Sequence, residues 1–282
     1  MSAETKVSLK ELLAAERAGA VAGEHPTDPG YAPPVDLVSL PSGGKVYPPE
    51  SPLYMLDSIE IKAMTARDED ILTSRALIKK GIVLTTLMRS CITNRTIDPD
   101  QLLVGDRNAI IVKIRVSAYG AEYNVSVECP QCEESFDNAF DMSRLPLKSL
   151  SAEPIQIGTN AFRFTLPSSG REAIFKLLTG ADATELERTS ERLRKAKGAG
   201  APEENVTTRL HAQCVSLGGE TDRTKLAQMI RNMPARDSRA WRRYMDEIAP
   251  GVDMTQSIVC PACGKESEVD VPLGTEFFWP SR

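Results

Sequence analysis

Only two of the 282 residues are histidine, aromatic side chains make up 5%, and Lys plus Arg (34) fall short of Asp plus Glu (39). Each shortage excludes something. His25 and His211 stand alone, with no partner pattern around either, so a histidine-based catalytic or metal site has no residues to rest on. His211 lies three residues before Cys214, but the residue that matches it in the first half of the chain is Met88, which speaks against a Cys-His dyad. The carboxylates are scattered at capping and solvent positions, and no Gly-rich nucleotide fingerprint occurs. The turn Leu40-Pro41-Ser42-Gly43-Gly44-Lys45 ends in lysine, yet a P-loop would need glycine at Ser39 and a hydroxyl residue at Val46. The chain is therefore not read as an enzyme.

The net charge of −5 argues against general affinity for a phosphate backbone. The basic residues gather mainly at 188–197 and 239–243. No apolar run approaches the roughly 18 residues of a membrane span, and the N-terminus has no signal-peptide core. The sequence reads as a chain made in a reducing cytoplasm. There, six cysteines serve metal binding or core packing rather than disulfides.

Four of those cysteines form two matched knuckles, Cys129-Pro130-Gln131-Cys132 and Cys260-Pro261-Ala262-Cys263, each set between strand-like runs. A C-x-x-C on a tight turn aims two thiolates at one point, and two such turns supply the tetrahedron of a structural zinc site. Cys129, Cys132, Cys260 and Cys263 are thus the candidate ligands, for zinc in preference to iron. Cys91 and Cys214 sit in apolar surroundings as small buried hydrophobes, both expected on helices.

Residues 1–36 read as an appendage: an amphipathic helix over 7–22, then a Pro-rich linker. Further on, Ile59 to Lys62 alternates like a strand. Thr65 and Asp68 form a capping box for a helix, and a second apolar helix covers 82–92. Asp98-Pro99 opens a short helical turn, and Asp106 caps a helix over 107–116, where β-branched residues make a strand the competing assignment. Downstream the same order returns, with strands at 162–165 and 173–178 and Thr179 and Asp182 as the second cap.

Offsets between matching residues stay constant in blocks. Leu40 to Leu166 and Lys45 to Arg171 span 126 positions; Thr65 to Thr179 and Asp68 to Asp182 span 114. Cys91 to Cys214 spans 123, while Asp106 to Asp237, Cys129 to Cys260 and Cys132 to Cys263 span 131. The offset changes fall at loops, where insertions are tolerated. The sequence therefore predicts an α+β fold, an internally duplicated two-lobe protein whose split four-cysteine zinc-ribbon-like site joins the halves. Its parts are an appendage (1–36), a first repeat (37–148), a connector (149–161) and a second repeat (162–282). Trp241 with Arg242 and Arg243 is a partner-binding candidate, since Arg and Trp are common anchors, but reads first as a partly buried helix with a solvated basic edge. The aromatic cluster Phe277-Phe278-Trp279-Pro280 either seals the cysteine lobe or docks on another protein.

Residues 40–48 (LPSGGKVYP), 61–74 (IKAMTARDEDILTS) and 102–108 (LLVGDRN), with Tyr119-Gly120, resemble the baseplate protein family of T-even-type contractile-tailed bacteriophages. The resemblance covers about residues 37–140 and, more loosely, 178–182. It implies a hub or hub-assembly component of the virion tail baseplate, made in the host cytoplasm. Such a component would bind other baseplate or tail proteins, with no membrane, nucleic-acid or catalytic role. The metal is not part of that resemblance and rests on the four cysteines alone. The competing reading is a zinc-ribbon nucleic-acid-binding or adaptor protein, which would need a basic face with exposed aromatics.

Overall fold

The computed structural model describes residues 33–197, 205–271 and 275–278. The chain divides into units of residues 1–33 and 34–282, and all its described strands and helices belong to the second. The helix expected over 7–22 lies outside the described residues, as does Trp279-Pro280.

Strands β1 (Val35–Ser39) and β2 (Ser58–Lys62) pair antiparallel, with Val38 opposite Ile59 and both buried. The Gly43-Gly44 turn between them is folded inward rather than open to a phosphate. A Cβ on Gly44 would lie 2.2 Å from the Leu56 amide nitrogen, so only glycine fits. Helix α1 (Ala66–Thr73) starts at the expected capping box, where the Thr65 amide donates to Asp68 Oδ2 at 2.9 Å. Helix α2 (Arg75–Lys80) stops at left-handed Gly81, and α3 (Val83–Cys91) buries Leu87, Met88 and Cys91 on one face.

The helical segment opened by Asp98 is shorter than expected: Gln101 N donates to Asp98 O at 3.0 Å in a single turn, and Leu102-Leu103 do not continue it. Leu103 bridges to Thr179 in extended conformation, Val104 N donates to Leu178 O at 3.0 Å, and Gly180 N donates to Leu102 O at 2.9 Å. That pairing extends the backbone at Leu102-Leu103. Helix α4 (Val104–Tyr119) then begins two residues before Asp106, which is not its cap but lies buried in its first turn. The β-branched run is helical because Ile110, Ile111, Val112 and Ile114 are all buried. Packing that a strand here would forfeit outweighs propensity costs of a few tenths of a kcal/mol per residue.

A hairpin of β3 (Glu122–Glu128) and β4 (Ser135–Asp141) carries the first knuckle, followed by short β5 (Leu147–Lys148). Then come β6 (Phe162–Thr165) and β7 (Glu172–Phe175), the latter shorter than the 173–178 expected. Helices α5 (Gly180–Lys197) and α6 (Asn205–Gln213) lead to β8 (Cys214–Leu217), which completes a β6-β7-β8 sheet. Cys214 therefore opens a strand rather than riding a helix. Gln213 O accepts from Lys176 N at 2.9 Å, and this draws the chain onto β7. The chain closes with α7 (Arg223–Arg231), α8 (Ala235–Ile248), β9 (Gly251–Val252), and a second hairpin of β10 (Thr255–Val259) and β11 (Glu266–Asp270). Helices interspersed with small antiparallel sheets make this an α+β fold, with Trp241 wholly inside against Phe175.

Strand β9 pairs with β5, and the same stretch presses on the start of α4. A Cβ at Gly105 would fall 1.8 Å from Pro250 O. Helix propensity alone predicts that Gly105→Ala stabilises by about 1 kcal/mol. The backbone clash reverses the sign, and we expect a net loss of about 1–3 kcal/mol, read as a lower urea midpoint at unchanged slope.

Candidate metal centre

Both knuckles are built by the same two hydrogen bonds. Cys129 N donates to Glu134 O at 2.9 Å and Glu133 N to Cys129 O at 2.9 Å; Cys260 N donates to Lys265 O at 3.1 Å and Gly264 N to Cys260 O at 2.8 Å. Closing the turn requires a left-handed residue after the second cysteine, which is Gly264 at φ 68° and Glu133 at φ 62°. Glutamate there accepts a conformation that costs a non-glycine residue about 1 kcal/mol.

All four sequence-predicted ligands meet. Their sulfurs lie within 4.8 Å of one another, with Cys129 Sγ 3.8 Å from Cys263 Sγ and Cys132 Sγ 3.7 Å from Cys260 Sγ. Four sulfurs placed about 2.3 Å from one central ion would be about 3.8 Å apart, so the donor set fits a tetrahedral metal. Cys129 and Cys260 are buried, while Cys132 and Cys263 reach the surface. The Gln131 amide at Cys129 Sγ, 3.4 Å away, draws that thiol down to about 7. At Cys132 the Glu134 amide also pulls downward, but desolvation and the three neighbouring sulfurs push the thiol up to about 12. A cation among the sulfurs would offset the mutual repulsion of ionised thiols.

Below the sulfurs the two hairpins stay distinct. β3-β4 and β10-β11 are separate two-stranded sheets, and a cavity of about 250 Å³ lined by Val125, Val127, Phe140, Val269 and Val271 lies between them. The base of the first hairpin is firmer. Phe277 and Phe278 are buried, and the Phe277 ring meets Tyr123 edge-on at 5.1 Å. Of the two roles open to that aromatic cluster, its described part takes the sealing one.

The sequence reading missed Arg115, which is buried. Its Nε donates to Phe277 O at 3.3 Å, and its terminal nitrogens donate to Gly120 O and Glu122 O. Its guanidinium also faces the Tyr119, Tyr123 and Phe277 rings at 5.4–5.9 Å. Burial holds its pKa below the usual arginine range. Two cations, Lys113 and Arg115, interrupt the apolar run 109–116, and the pattern alone does not tell which of them is buried. Asp106 was seen as a cap, but its carboxylate accepts from Ser42 N at 2.9 Å, Ser42 Oγ at 2.6 Å and the Tyr47 hydroxyl. Burial raises its pKa against those three donors.

The family model described as T4 bacteriophage base plate protein matches residues 33–279. The chain belongs to that family. The match takes in both knuckles, well past the region about 37–140 in which the resemblance was legible by eye. No curated protein and no solved structure matches this base plate protein significantly. Among its described residues no helix is long and apolar enough to cross a membrane.

Proposed function

We propose that this base plate protein is a structural or assembly subunit of the hub region of a contractile phage tail. It works through protein–protein contacts on a scaffold clasped by one zinc ion. The observation that carries the reading is the four-sulfur cluster, drawn from hairpins more than a hundred residues apart, in a chain of the base plate family. Four thiolates close the coordination sphere, so the ion holds shape and has no open position for substrate. Its partners are other tail proteins, and its place is the virion tail.

The same reading takes the chain as a duplication, with the metal at the seam. Support comes from contacts that recur at the repeat offsets. Ser42 N donates to Asp106 Oδ1 at 2.9 Å and Ser168 N to Asp237 Oδ1 at 2.6 Å. Thr65 N donates to Asp68 Oδ2 and Thr179 N to Asp182 Oδ2. Ile92 bridges Ile61 where β8 pairs with β7. Superposing the knuckles should then carry Cys91 onto Cys214; a mismatch would sink the duplication.

The functional test is co-sedimentation of tagged protein with tail intermediates from infected cells. We expect it in hub-containing fractions. Absence from every tail fraction, together with salt-sensitive retention on DNA, would replace this reading with nucleic-acid binding.

A further inference from the structure

Two regions of this chain carry charge of mostly one sign, although α5 mixes both signs and α8 carries Asp246 and Glu247 in its last turn. From Arg223 to Met245, covering α7 and most of α8, there are seven Lys or Arg and one carboxylate, Asp237, which is buried and occupied by the Ser168 and Ser169 amides. Arg236, Arg239 and Arg243 recur at i, i+3 and i+7, so they share one face of α8, opposite buried Trp241 and Met245. All three are exposed, and none pairs with a described acid. Like charges at this spacing repel by about 0.2–0.5 kcal/mol per pair, and a cation in the first helical turn opposes the helix dipole. An anionic surface laid against the face would relieve both penalties.

The cysteine hairpins offer the reverse. Residues 121–141 and 253–270 hold ten carboxylates and one cation, Lys265. Every one of the ten is exposed, and Asp141 with Arg144 is the one ion pair they make among the described residues. Glu266, Glu268 and Asp270 alternate along β11 and line its outer face beside Thr255, Ser257 and Val259. That row spans about 14 Å, against about 10 Å for the arginine stripe.

We propose that the arginine face of α8 seats on the outer face of the β10-β11 hairpin of a second copy, head to tail. Among the described residues neither patch is ion-paired within its own chain; Glu247, one turn beyond Arg243, forms no ion pair with it. The exposed hairpin acids would repel a nucleic-acid backbone approaching the same molecule. Because the two patches differ, the contact is heterologous: it leaves one free patch at each end and propagates until a ring closes.

The test is sedimentation velocity on the full chain at about 0.1 M and about 1 M salt, where the screening lengths are about 10 Å and about 3 Å. Wild type should associate at low salt, with its half-association concentration rising at least roughly tenfold at high salt. R236E/R239E/R243E and E266K/E268K/D270K should each stay monomeric, with circular dichroism and metal content unchanged. Mixed in equal amounts, the two variants should recover association, because reversed charges again face each other. A wild type that remains monomeric at low salt, or association that either triple variant leaves intact, overturns the proposal. So does a monomer that shifts duplex DNA and loses that shift in the arginine variant.

Discussion

Cys129→Ser should lose its zinc and much of its thermal stability together. Wild type is expected to carry one zinc per chain by elemental analysis, without the visible absorbance of an iron-sulfur centre. The variant keeps three thiolates around a position with no fourth donor, and one hydroxyl cannot replace a sulfur ligand for a borderline-soft ion. Structural zinc is worth on the order of 10 kcal/mol in small domains that are otherwise unfolded. Here most of the core is independent of the site, so the loss should be smaller and concentrated in the hairpins. A fall of several kcal/mol is expected, with faster amide exchange over residues 122–141 and 255–270. A two-stranded hairpin is marginal alone, and these two are separate sheets whose tips come together at the four sulfurs. A Cys129→Ser protein that keeps both metal and melting temperature would remove the clasp from the account. Retained stability with lost metal would instead leave a site that is occupied but structurally idle.

Arg115→Met should produce the largest loss away from the cysteines. The substitution keeps the aliphatic stem but leaves the carbonyls of Gly120, Glu122 and Phe277 without their donor. Each buried acceptor left unmatched costs about 1–3 kcal/mol, so a total of about 3–5 kcal/mol is reasonable after partial relaxation. In a chain this long that lowers the melting temperature by roughly 10 °C. Arg115→Lys should recover only part, since an ammonium cannot span three acceptors arranged around a planar fork. Limited chymotrypsin digestion supplies a local readout: in Arg115→Met, cleavage should appear after Phe277 or Phe278 well before the core is cut. Equal resistance in wild type and variant would show that the aromatic pair is held by its rings alone.

The four-cysteine cluster was legible because its chemistry is local: a knuckle is four residues long, and its thiols are fixed by type and spacing. The capping boxes at Thr65 and Thr179 were legible for the same reason. What escaped depends on contacts between distant segments. Residues 98–103 carry helix-start signals, but only one turn forms at 98–101, and pairing with residues 178–181 keeps Leu102-Leu103 extended. Asp106 has the residue type of a cap, yet Ser42 and Tyr47 claim its carboxylate from about sixty positions away. The constant offsets held a clue to this, since Ser42 and Asp106 shift with Ser168 and Asp237. Reading those columns as contacts, rather than only as matches, would have paired them. Arg115 needed the C-terminal segment in place before its burial made sense.

The separation of the two knuckles has a consequence for how the protein is made. At roughly 5–20 residues per second, the ribosome would finish the second knuckle about 7–26 seconds after the first. Throughout that interval a nascent chain presents two thiolates, too few for a tight tetrahedral site. On the proposed zinc clasp, metal capture would then be a late event in biosynthesis. A chain broken off before Cys260 would lack half of the ligands, so holding the ion would mark a molecule in which both hairpins have been synthesised and brought together.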